Sequence, residues 1–130
     1  MTAAEPLRQT PDLARRPLSA AVLWGLPIVV GNAVNLLRPA LAADALVWAG
    51  CLAWMGAGCW LNAQRCSRLH CMLSAPILFV AAGLAGGIAL GAAPAWPWAL
   101  NATIWGAFGL VLLSFAAELV WGRYAGAGPA

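Results

Sequence analysis

The chain has 130 residues and a formal net charge of +3; 63% of its residues are hydrophobic and 8% are charged. Soluble domains carry about 25% charged residues, so a water-soluble fold of this size would lack the polar surface to cover itself. The small basic excess excludes a nucleic-acid footprint, and no Gly-rich phosphate loop or Ser-His-Asp set points to a soluble enzyme.

In chain order, residues 1–17 hold Pro6, Pro11, Pro17 and mixed charges, and read as a flexible N-terminal tail. A transmembrane domain follows over 18–124, and 125–130 form a short C-terminal tail. The domain contains four apolar runs: about Leu18 to Leu37, Leu41 to Leu61, Met72 to Ala92 and Trp96 to Trp121. Each approaches the ~20 residues that a helix needs to cross ~30 Å of hydrocarbon. Membrane β-barrel strands alternate apolar and polar residues, and these runs do not. Eight tryptophans and the absence of lysine fit a bilayer setting. The expected fold is all-α, an integral-membrane up-down four-helix bundle with short connections.

Arginine placement gives the orientation. Arg8, Arg15 and Arg16 precede the first run, Arg65 and Arg68 lie between the second and third, and Arg123 follows the fourth. Arg38 alone falls on the opposite side, with Asp44 near it. The positive-inside rule then puts both termini in the cytoplasm. The first run is too long for a cleavable export signal. The expected location is the bacterial inner membrane.

The first run carries Asn32 and Asn35 and an interior Pro27 that can kink it. The fourth carries Asn101; amides in hydrocarbon normally face other helices. In the second run, Asp44, Trp48, Cys51, Met55, Cys59, Asn62 and Cys66 share one helical stripe. This stripe is either a packing seam or a ladder of soft ligands leading inward. Pro76 sits in the first turn of the third run, where a missing N–H is harmless. That run also carries Gly83, Gly87 and Gly91 at four-residue spacing. Small residues so spaced let helices approach closely, inside the chain or in a homo-oligomer or membrane complex. Glu118 lies near the cytoplasmic end of the fourth run; it is either a salt-bridge partner of the nearby arginines or a site residue.

The densest chemistry is the stretch NAQRCSRLHC, residues 62–71. Its Cys66, Cys71 and His70 are donors for soft or borderline metals such as Cu(I), Zn(II) or Hg(II). Arg65 and Arg68 beside them favour the thiolate. A cytoplasmic setting keeps the thiols reduced. The spacing is not that of a zinc finger, and Hg(II) is content with two thiolates in a line. The same arginines also set topology without any other purpose.

The pattern Asn62-x-x-Arg65-Cys66-x-Arg68-x-His70-Cys71, followed by Pro76, resembles a loop of small, mostly uncharacterised bacterial membrane proteins. It covers about fifteen residues. A plan of a few short spans with paired cysteines is also similar to that of the mercury-resistance membrane transporters. Those carry an adjacent cysteine pair in the first span, which this chain lacks. The expectation is a membrane protein that handles or transports a thiophilic metal ion such as mercury or copper. Its ligands would be Cys66, Cys71, His70, Cys59 and Cys51, supported by Arg65, Arg68, Asn62, Met55 and Glu118. The alternatives are an accessory subunit of a membrane complex and a membrane thiol-redox or haem protein. No resident cofactor and no catalytic residue is assigned. Expected partners are lipids and a metal ion, with no nucleic acid.

Overall fold

The computed structural model describes residues 12–37 and 39–122. Arg8, Arg38, Arg123 and the tail expected over 125–130 lie outside the described residues. Four long helices run up and down: α1 over Pro17–Leu36, α2 over Leu41–Cys66, α3 over Leu69–Ala89 and α4 over Pro97–Trp121. All four are long and apolar enough to cross a membrane. The 26 residues of α2 span about 39 Å at 1.5 Å per residue, more than the ~30 Å of hydrocarbon. One end of α2 therefore reaches headgroup depth or the helix tilts.

The helices do not pack equally. α2 packs most extensively on α3, α3 packs on α4, and α1 lies against α2. In α2 and α3, 39% of the most apolar window is buried, against 11% in α1 and 17% in α4. The inner pair makes the core, through Leu52, Met55, Cys59, Cys71, Ala75 and Leu78. The flanking helices turn Leu18, Leu36, Leu119 and Trp121 outward. An apolar exterior is what lipid requires, and association in lipid then rests on packing and polar contacts.

Local chemistry explains the bends and ends. Pro27 has no N–H for the carbonyl four residues back. Immediately ahead of it, Ala21–Gly25 widens to a π-helical turn, in which the Leu26 N–H reaches Ala21 O. This is the disturbance that the interior proline predicts. Pro76, inside α3, leaves that helix continuous. At the far end of α3, Gly91 takes φ +71°. The Ala92 N–H bonds Gly87 O at 2.8 Å and the Gly91 N–H bonds Ile88 O at 3.2 Å. Those two bonds are a Schellman cap, and glycine suits its left-handed residue.

That cap corrects one reading of the glycine stripe. Gly91 ends the helix rather than packing a face. A Cβ on Gly83 or Gly86 would meet nothing within 4 Å, and one on Gly87 would touch only Ala93. Among the described glycines the tightest approach is at Gly31 of α1, where an added Cβ would lie 2.8 Å from the Trp48 ring; Gly58 and Gly56 of α2 follow, 3.2 Å from Leu23 and 3.3 Å from Leu78.

Two boundaries also differ from the sequence reading. NAQRCSRLHC is helical except at Ser67 and Arg68. Cys66 ends α2, and His70 and Cys71 occupy the first turn of α3. Ser67 closes α2 in the left-handed conformation, φ 52°, with its N–H on Ala63 O. The second difference is the N-terminal segment. Asp12–Arg16, expected to be part of a flexible tail, is docked. Asp12 is buried and caps a 3-10 turn over Leu13–Arg15 through the Ala14 N–H.

Candidate functional site

Antiparallel packing brings four pieces of chain to one end of the bundle: the docked turn, the end of α2, the start of α3 and the last turns of α4. Asn62, on α2, is fully buried and joins the docked turn to α2 and α3. Its Oδ1 accepts the Leu13 N–H at 2.8 Å. Its Nδ2 donates to Asp12 Oδ1 at 2.9 Å and faces Cys71 Sγ at 3.3 Å. A buried amide in apolar surroundings needs such partners, and this one has them for both ends.

Arg68 sits between two carboxylates. Its Nη1 is 2.8 Å from Asp12 Oδ2, and its Nε is 3.4 Å from Glu118 Oε1. Burial alone would raise the Asp12 carboxyl. The Asn62 amide, the Ala14 N–H and the Arg68 guanidinium outweigh it and hold the acid below its usual range. Burial works against the Arg68 charge too, and Asp12 and Glu118 more than compensate. Three partly buried charges thus balance as a network rather than as isolated ions.

Glu118 has a second task. Its Oε1 accepts the His70 backbone N–H at 3.2 Å and lies 2.6 Å from His70 Nδ1. Phe115, one turn earlier on α4, stacks on the imidazole with ring centroids 4.1 Å apart. Beside it in the chain, Ser114 shares a hydrogen bond with Ser74 at 2.8 Å that ties α4 to α3. The ring is therefore fixed in position. In the neutral imidazole, a carboxylate at Nδ1 keeps the proton there and leaves the Nε2 lone pair free. Nε2 lies 3.2 Å from Cys71 Sγ. Carboxylate, imidazole and thiol are in line, the arrangement in which a base can take a thiol proton.

The second sulfur comes from α2. The Cys59 and Cys71 side chains are buried where α2 packs on α3 and lie close enough to influence one another electrostatically. The Trp24 indole N–H of α1 donates to Cys59 Sγ at 3.3 Å. Both sulfurs thus have an N–H donor and a neighbouring thiol. All four cysteines are free.

The remaining candidate residues are separated from this pair. Cys66 is half-buried, and its thiol turns back to Asn62 O at 3.1 Å. Cys51 is buried on α2, eight positions from Cys59 and so about 12 Å along the axis. Met55 lies between them, buried in the core, and Arg65 is exposed at the end of α2. The stripe is real as a face: Trp48, Cys51, Met55, Cys59 and Asn62 are all buried. Among the described residues, no group of three or more His, Cys, Asp or Glu side chains is arranged to hold a metal ion. Any ion taken here would rest mainly on two sulfurs.

Asp12, Trp24 and Phe115 were not legible as site residues. Asp12 carried one local signal, since Asp just before a short turn is a favoured cap. Trp24 and Phe115 carried none, because only tertiary packing places them. No family model, no curated protein and no solved structure matches the chain.

Proposed function

We propose that this protein handles a thiophilic metal ion, such as Hg(II) or Cu(I), through the paired thiols of Cys59 and Cys71, with His70 beside them. The observation that carries the reading is the sulfur pair itself. Two buried thiols on adjacent helices are neighbours, each sulfur accepts an N–H, and an oriented imidazole faces one of them. Soft ions prefer thiolate sulfur, and a linear ion needs only two. Cys51 and Met55, farther along the same buried face, offer further sulfurs on the way to this pair. Thiolate-to-thiolate transfer along such a face costs little net energy. Cys66 is an auxiliary thiol in this reading rather than a primary ligand.

The setting we propose is a bacterial plasma membrane with the thiol pair at its cytoplasmic side. The arginine asymmetry supports that orientation, because Arg15, Arg16, Arg65 and Arg68 lie at the same end as the pair. The test is metal binding by purified protein under reducing conditions, with a small thiol as competitor. The expected result is selective binding that survives Cys66→Ser and disappears in Cys59→Ser/Cys71→Ser. Equal weak binding by all three would overturn the reading.

A second reading is favoured by the alignment of Glu118, His70 and Cys71. A Cys71 thiolate can attack a small-molecule disulfide, releasing one thiolate. Cys59 then attacks the mixed disulfide, releases the second thiolate and closes a Cys59–Cys71 bond. Two protein thiols are oxidised and one disulfide is reduced to two thiols. Haem ligation has no comparable support, since His70 is the chain's single histidine and its ring is packed on Phe115 with Nε2 turned to Cys71.

A further inference from the structure

A second polar feature lies at the opposite end of the bundle. Asn32 and Asn35 of α1 and Asn101 of α4 line a cleft of about 210 Å³ whose walls include Trp48, Trp105 and Phe108. By the share of liquid volume of one water, that is room for about seven waters. Asn32 Nδ2 donates to its own helix at Ile28 O, 2.8 Å away. Asn35 and Asn101 make no side-chain hydrogen bond among the described residues. All three amides are exposed and lie within the last five residues of α1 or the first five of α4. Three amides from two flanking helices thus line one open cleft.

Among the described residues the lining carries no charged side chain. A bare cation would enter with no counter-charge in a medium where desolvation of an ion costs several kcal/mol. A neutral solute would not. Amide N–H groups offer hydrogen bonds to the lone pairs of small anionic ligands, and the Trp and Phe faces offer contact to polarisable atoms. Trp48 is also the first member of the buried stripe that runs through Cys51 and Met55 to Cys59. The cleft and the thiol pair therefore occupy the two ends of one face of α2.

We propose that this cleft binds the soft ion as a small neutral complex with its anionic ligands, of which mercuric chloride is the probe, before the thiols take it. The inference rests on the metal-handling reading of the thiol pair. Transfer between the two ends is ligand exchange without redox. Two mercury–chloride bonds break, two mercury–sulfur bonds form, and two thiol protons leave with two chlorides.

Tryptophan quenching by the heavy atom tests it in a variant of the full chain with all four cysteines replaced by serine. An all-alanine version replaces it if the serine version does not fold. The expected result is saturable quenching by mercuric chloride, with half-saturation weakened about tenfold in Asn35→Leu/Asn101→Leu and retained in Asn35→Gln/Asn101→Gln. Quenching that rises linearly without saturation, or saturation indifferent to the leucine changes, would overturn the proposal. The thiol pair is absent from this experiment. A wild-type protein that binds no metal would sink the parent reading while leaving the cleft result to stand or fall separately.

Discussion

His70 Nδ1 lies 2.6 Å from Glu118 Oε1, across the α3–α4 contact, and the other face of the same ring points its Nε2 at Cys71 Sγ, 3.2 Å away. The carboxylate decides which nitrogen holds the proton, and so decides that a lone pair faces the thiol. Glu118→Gln keeps the shape and removes the charge. The expected outcome is a Cys71 that still folds in place but reacts about tenfold more slowly with a small alkylating reagent, with a larger loss in His70→Gln, since positioned bases contribute at least ~100-fold. Equal alkylation rates in all three proteins would remove the imidazole from the chemistry.

Asn62 holds the docked N-terminal turn and the thiol site together. Asn62→Leu would orphan the Leu13 N–H, take one donor from Asp12 and one from Cys71. An unsatisfied buried group costs about 1–3 kcal/mol. The helices should survive, because the core around Leu52 and Leu78 is untouched, while the turn over Leu13–Arg15 detaches. Limited trypsin digestion after Arg15 reads this directly, since Pro17 blocks the bond after Arg16. Cleavage should be fast in the variant and slow in the wild type.

Acid should open the same contact, with a sign fixed by Asp12. Its carboxyl is held below the ordinary value in the folded protein. The stabilisation is therefore fully present above the unfolded value of about 3.9 and is lost as pH falls through the lower, folded value. Protection of the Leu13 and Ala14 amides from hydrogen exchange, relative to the intrinsic rate at each pH, should hold at pH 5 and fall only below about pH 4. In Asp12→Asn the exchange should be faster at neutral pH and show no such acid step. A wild-type transition near neutral pH would mean that another group controls docking.

The four spans were legible because length and uninterrupted hydropathy suffice to identify a membrane helix. The sulfur-bearing stripe was legible because it obeys helical periodicity on a single helix. Which two of the four cysteines meet was not, since that depends on how α3 sits against α2. The sequence placed Cys66 and Cys71 together by nearness in the chain. In the structure Cys71 has Cys59 as a neighbour, because Cys66 points back along its own helix while the first turn of α3 folds onto α2. Asp12 escaped notice for a related reason: a proline-rich, charged segment reads as unstructured until a buried Asn62 and an Arg68 are found waiting for it.

Thiol pairing makes an independent prediction. A mild dithiol oxidant in detergent solution should join Cys59 to Cys71, leaving Cys51 and Cys66 available for alkylation after unfolding. Mass mapping of the peptides gives the pairing. Formation of a Cys66–Cys71 bond in preference would contradict the geometry, because the Cys66 thiol is committed to Asn62 O at 3.1 Å.

Glycine substitutions separate packing inside the chain from packing outside it. At Gly31 an added methyl would lie 2.8 Å from the Trp48 ring, so Gly31→Ala must push the indole or the helix aside. Overpacking of this kind costs about 1–3 kcal/mol, and α1 should loosen from α2. At Gly83 the same methyl meets nothing within 4 Å. Gly83→Ala should therefore leave monomer stability unchanged or raise it slightly, through the better helix propensity of alanine. The bulkier Gly83→Leu turns that site into a probe of association. If the open glycine face of α3 seats a second copy, the wild type should elute as an oligomer in mild detergent and the leucine variant as a monomer. Identical elution of both would leave the face to lipid, while the contrast in stability between Gly31→Ala and Gly83→Ala should hold in either case.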